Sequence, residues 1–242
     1  MASRGDIEKG KLRYSDEIGW IDENHAQGAD AIALKSQMES ENVSHELFNQ
    51  YPSLMSTPLF KTHFIVEYRQ KMSKFGYTAA KKAQWLVRRG LNSEDKKSIA
   101  LAIMLDMTIQ FEALQSNWFY GGILRNDSGF SGEDIISNLF GFYKIYEPRN
   151  YEPLLKIASK DKALRIWHHY GSIGNFKNRE LRPWMFPDPL VFPNSKPYKK
   201  ALPYFLKTIT PINLRLNNGE VEPFSPTQYI HSYHLSRFIP FK

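Results

Sequence analysis

Apolar positions crowd the middle of the chain. From Ile99 to Leu105 the sequence reads Ile-Ala-Leu-Ala-Ile-Met-Leu, and Met107, Ile109, Phe111, Ala113 and Leu114 continue it. At about 3.6 residues per turn these residues cover every direction around a helix, which predicts a segment buried on all sides. Ser93-Glu94-Asp95 opens it with a capping residue and two acids suited to the helix dipole. A buried central helix over about 94–116 is the expected centre of the fold. Asn117-Trp118-Phe119-Tyr120-Gly121-Gly122 and a polar loop follow it. A second helix start comes at Ser131-Gly132-Glu133-Asp134, leading into Ile135 to Gly141.

Helical periodicity extends to both sides. Ala31 to Gln50 reads as a helix with a break near Asn42-Val43-Ser44. Pro58 to Phe75 reads as another, on the spacing of Phe60, Phe64, Ile65, Tyr68 and Met72. Thr78 to Arg89 is a third, ended by Gly90, with Lys81, Lys82, Arg88 and Arg89 as a solvated basic strip. Two short helices are expected over 146–159 and 160–170, with Gly171 as the stop. Composition then changes, since ten of the 14 prolines lie between Pro183 and Pro240, many beside aromatics. Such chain is extended and irregular, and it would expose its aromatics unless it wrapped the helical body. Ile212, Leu214 and Leu216 alternate before Asn217-Asn218-Gly219, with Val221 beyond, which predicts one β-hairpin. Ser225-Pro226-Thr227-Gln228 starts a short helix that carries His231 and His234.

The expected fold is therefore mainly α, in a single domain over 1–242. It has a polar lead-in at 1–13, a helical body at 14–171, and a proline- and aromatic-rich wrap at 172–242 integral to the same domain. A chain of 242 residues is long enough for a substantial core, and 42% hydrophobic residues describe a folded protein. With no cysteine there is no disulfide framework, thiolate nucleophile or cysteine metal site. No apolar run approaches the length of a membrane span, and the first residues lack the apolar region of a Sec signal. The net charge of +7 and a pI near 9.3 suit an anionic polymer: nucleic acid, peptidoglycan or an acidic membrane face. Without a recognisable nucleic-acid motif, nucleic acid ranks behind peptidoglycan.

Carboxylates in apolar segments mark the candidate chemistry. Glu112 ends the most hydrophobic helix, where burial raises a carboxyl pKa toward general-acid work. A buried ion pair with Arg125 or Arg165 would occupy it equally well. Glu133 and Asp134 lie in a first turn, where acids also serve as caps. Asp134 with Asn138, and Glu133 with Ser137, are four apart and share a face. In Asp22-Glu23-Asn24-His25, a helical backbone would set Asp22 beside His25, as a carboxylate orienting an imidazole or as a local hydrogen bond. Glu112, Glu133, Asp134 and His25 are the candidate catalytic residues. Asp22, Asn138 and Trp118 are the candidate substrate contacts. Two carboxylates could act as acid and base, or with His25 supply oxygen and nitrogen ligands to a divalent metal. The adjacent His168 and His169 point apart on a helix and make a poor chelate. His231 and His234 share a face, but no third ligand lies nearby.

These same segments carry a family resemblance. Gly19-Trp20-Ile21-Asp22…His25-Ala26, Phe111-Glu112 before Trp118-Phe119-Tyr120-Gly121, and Phe130-Ser131-Gly132-Glu133-Asp134…Ser137-Asn138-Leu139-Phe140-Gly141 resemble an uncharacterised bacterial family of envelope lipoproteins. The likeness covers roughly residues 14–145. Family members have a histidine before the glutamate of the long helix, where this chain has Phe111. The resemblance implies a bacterial envelope setting, secreted or periplasmic, with the cytoplasm as the site of synthesis. The expected function is an envelope-acting hydrolase, specifically an exported antibacterial effector attacking peptidoglycan. The competing expectation is a non-catalytic binding or structural protein of the envelope.

Overall fold

The computed structural model describes residues 2–42, 48–49, 52, 56–74, 77–120, 131–178 and 180–225, with backbone only at 70–74, 77–82 and 109–120. The mainly α expectation is corrected. Helix accounts for 43% of residues and strand for 17%, and the described residues hold seven strands in three antiparallel sheets, so the fold is mixed α/β. Contacts divide the chain into two compact units. One comprises Met1–Ile32 with Thr108–Thr210, the other Ala33–Met107 with Pro211–Lys242.

In the first unit a short helix α1 (Arg4–Glu8) leads into the hairpin of β1 (Leu12–Ser15) and β2 (Gly19–Asp22), paired from Leu12–Asp22 to Ser15–Gly19. Tyr14 and Trp20 are buried in a core with Ile7, Leu12, Ala163, Ile166, Ile173 and Phe186. Tyr14 hydroxyl donates to the Phe186 carbonyl at 2.9 Å and accepts from its amide at 2.7 Å, satisfying both groups inside that core. Within the proline-rich segment Met185, Phe186, Phe205, Leu206 and Ile209 are all buried.

The second unit holds the departures from expectation. Residues 58–75 and 78–89 are not two helices. After a single turn, Leu59–Thr62, they form long strands β3 (His63–Lys74) and β4 (Tyr77–Arg88), in register from His63–Arg88 to Lys74–Tyr77. Phe64, Ile65 and Val66 are buried consecutively, as are Trp85, Leu86 and Val87. A strand covered on both faces gives an unbroken apolar run that helical spacing also fits. The expected hairpin around Asn217-Asn218-Gly219 is absent too. Asn213 and Asn217 side chains accept backbone amides of residues 215–216 and 220–221, fixing a non-strand turn. β7 (Val221–Phe224) pairs instead with β4; β5 and β6 belong to the first unit and are the two-residue strands Trp184–Met185 and Tyr198–Lys199.

The helix α2 (Ala29–Ser40) replaces an edge strand at one point. Its Gln37 amide donates to the Glu67 carbonyl at 2.8 Å and accepts from the Glu67 amide at 2.7 Å, continuing the β3 ladder. The central helix is present as α4 (Ser93–Tyr120), numbered after the turn Leu59–Thr62 as α3. Ile99 to Met104 are all buried, as expected of a helix enclosed around its circumference. Among the described residues no helix is long and apolar enough to cross a membrane. The short helix carrying His231 and His234 lies outside the described residues.

Candidate acid–base site

The helix α5 (Asp134–Tyr146) begins where the sequence places a helix start, and its first turn builds the site. The Ser131 amide donates to Asp134 Oδ2 at 3.1 Å, while the Asp134 amide donates to the Ser131 carbonyl at the same distance. This reciprocal closure pins one Asp134 oxygen and leaves Oδ1 toward His25, 3.9 Å from Nε2. One turn later Asn138 Oδ1 lies 3.0 Å from His25 Nδ1. An amide oxygen only accepts, so Nδ1 carries a proton in this bond. Two residues four apart on α5 thus hold opposite edges of one imidazole.

Asp22 to His25 is not helical. Asp22 ends β2, and His25 begins a 3-10 turn, His25–Gln27. The Asp22 carboxylate therefore does not hold the imidazole by a hydrogen bond. It accepts the Asn24 amide at 2.8 Å, an Asx turn that ends the strand. The Asp22 amide donates to Ser137 Oγ at 3.0 Å, tying β2 to α5. A closer fit follows at Gly28 and Gly141, neither of which the sequence reading singled out. Gly28 has φ +69°, and a Cβ built on it would lie 2.6 Å from the Gly141 carbonyl oxygen. A Cβ on Gly141 would lie 2.7 Å from the His25 carbonyl oxygen. Glycine at both positions lets the turn rest directly on the helix backbone. The signal available in the sequence was a glycine directly after the polar cluster and another inside an apolar helix.

The electrostatics follow from burial and proximity. Glu133 is only 2% exposed, and its Oε2 has no hydrogen-bond partner among the described residues. Burial, reinforced by the Asp134 carboxylate, pushes its carboxyl up to about 7. Burial also raises the Asp134 carboxyl, against the opposing pull of His25. For His25 burial favours the neutral ring, but Asp134, the Asn138 bond, Asp22 and Glu133 together leave its pKa above the ordinary value. The imidazole remains accessible, with 39% of its side chain exposed. The Glu133 carboxyl can therefore exchange a proton near neutrality beside an accessible imidazole, which suits general acid–base chemistry.

His25, Asp22, Glu133, Asp134 and Asn138 come together, Asp22 through its backbone and its charge. Glu112 and Trp118 lie on the backbone of α4, and their side chains fall outside the described structure. Among the described residues no group of three His, Asp or Glu is arranged to hold a metal ion. His168 and His169 end the helix Lys160–Tyr170, both exposed. Comparison with family models, with curated proteins and with solved structures finds no match to the chain.

Proposed function

We propose that His25, Asp134 and Glu133 form the acid–base centre of a hydrolase acting on the bacterial envelope, with peptidoglycan as its substrate. The carrying observation is the accessible imidazole held between Asn138 and Asp134, beside a buried carboxyl poised near pH 7. In this reading His25 takes a proton from the attacking water, and Asp134 stabilises the imidazolium that forms. Glu133 holds the proton inventory of the site close to neutrality. The net charge of +7 favours an anionic polymer. The likeness of residues 14–145 to envelope lipoproteins supports the bacterial setting and export to it, as an antibacterial effector. Glu112 enters as a further candidate acid on its sequence position alone.

The test is incubation of the purified protein with isolated sacculi, with soluble fragments identified by mass spectrometry. Release that His25→Ala and Asp134→Asn abolish is the expected result. No release by the wild-type chain, or equal release by these variants, overturns the proposal. Glu112→Gln separates a catalytic glutamate, which loses release at unchanged stability, from half of a buried ion pair, which loses about 3–5 kcal/mol of stability.

A second reading has its own observation. The same side chains join β2, the His25 turn and α5 through the Asp22–Ser137 and His25–Asn138 bonds. A non-catalytic envelope protein would use them only to fasten these elements. It predicts that His25→Ala lowers stability and that no fragments are released by any form.

A further inference from the structure

The first unit carries a second concavity, of about 450 Å³, between β1, the helix Lys160–Tyr170 and the segment 185–198. That volume lies within the roughly 300–1,000 Å³ of small-molecule sites. Its rim carries large apolar side chains. Val191, Phe192 and Tyr198 are 62%, 55% and 52% exposed, and they gather at one opening. Large apolar side chains scattered singly need no explanation, but a group around one cleft marks a binding surface.

The polar groups of the cleft narrow the ligand. Lys162 Nζ donates to both Asp16 oxygens, at 2.7 and 2.8 Å. Asp188 accepts from Arg165 at 2.9 Å and from the Leu190 amide at 3.1 Å. Each lining charge is already compensated, so a charged ligand would gain one partner only by breaking a pair. A wholly aliphatic ligand would strip water from these charges and return nothing. The hydroxyls of Ser195 and Tyr198 make no hydrogen bond among the described residues and can bind in either sense. Apolar faces at the rim and mixed donors and acceptors below fit a neutral ring with C–H faces and hydroxyl or amide edges.

The geometry points to a saccharide-binding cleft that takes an N-acetylated amino sugar, the repeating unit of the glycan strand. The choice of sugar rests on the proposal that peptidoglycan is the substrate. Phe192 and Tyr198 stack on the ring faces, while Ser195, Asp16 and Asp188 address the edges. The cleft holds the strand and performs no chemistry of its own.

The experiment titrates the full chain with a β-1,4-linked trimer of N-acetylglucosamine, followed by calorimetry. Saturable binding is expected, weakened about tenfold by Phe192→Ala and again by Tyr198→Ala, the factor that corresponds to about 1.4 kcal/mol of lost contact each. Both side chains are more than half exposed, so unchanged thermal midpoints are expected and confirm folded variants. His25→Ala retains binding. No binding of the trimer overturns the inference, as does binding that both aromatic variants retain. So does displacement of the trimer by phosphatidylglycerol vesicles or by a proline-rich peptide that binds more tightly. Trimer binding through the aromatics without release from sacculi upholds the cleft and removes the acid–base proposal. Release from sacculi without trimer binding does the reverse.

Discussion

Replacing Gly141 with alanine tests how His25 is positioned. In the interior of an exposed helix, glycine to alanine stabilises by about 1 kcal/mol, because glycine loses more backbone entropy. Here the sign reverses. The new Cβ would sit 2.7 Å from the His25 carbonyl oxygen and 3.0 Å from both Gly28 Cα and Gly28 N, against 3.4 Å or more for an ordinary contact. Every one of these atoms is backbone, so no side chain can swing aside. The turn must retreat from α5 by roughly 0.4–0.7 Å, the difference between those distances. Overpacking of this kind costs about 1–3 kcal/mol. The retreat also stretches the 3.0 Å bond from His25 to Asn138 beyond useful length, removing about 0.5–1.5 kcal/mol more. Set against the propensity gain, Gly141→Ala should destabilise by about 0.5–3.5 kcal/mol. Urea denaturation measures this, and the imidazole resonances of His25 report the displaced ring. A variant more stable than the wild type, with unchanged His25 resonances, would refute the reasoning.

Three further outcomes follow from the same geometry. Glu133 binds its proton more tightly folded than unfolded, so its contribution is full below about 4.5 and is lost as pH rises through about 7. The raised Asp134 and His25 act in the same direction. Stability should fall across that window, and Glu133→Gln should flatten the fall and exceed the wild type at pH 8; an unchanged slope would remove Glu133 as its source. Tyr14→Phe leaves the amide and carbonyl of Phe186 unpaired inside the core and should cost about 2–4 kcal/mol in chemical denaturation; a loss below about 0.5 kcal/mol would show that other partners replace the hydroxyl. Truncation after Gly171 removes Met185, Phe186, Phe205, Leu206 and Ile209, each contributing about 1.5–3 kcal/mol by burial. Together these approach a domain's whole stability, so fragment 1–171 should not unfold cooperatively. A soluble fragment melting near the full-length midpoint would contradict this.

Residues whose signal is local were legible in the sequence. The start of α4 at Ser93 and of α5 near Asp134 follow from their first-turn acids, although Asn92 and not Ser93 caps α4, and Gly171 ends its helix at φ +81°. The pairing of Asp134 with Asn138 follows from helix spacing alone, and it survives as the two sides of the His25 cradle. What failed was non-local. β3 and β4 are strands because they pair with each other and with β7, and burial on both faces erased the alternation that would have shown it. Asp22 and His25 appeared to share a helical face, whereas an Asx turn and a 3-10 turn separate them. The Gly28–Gly141 contact joins residues more than a hundred positions apart, and no local rule reports it.

The most direct test of the proposed centre is the pH dependence of fragment release from sacculi. With its carboxyl at about 7 beside the His25 base, Glu133 should shape the limb of the wild-type rate near neutrality, and Glu133→Gln should displace that limb while the protein stays folded. A limb near pH 7 that persists unchanged in Glu133→Gln, or a wild-type chain that releases nothing at any pH, would contradict the account.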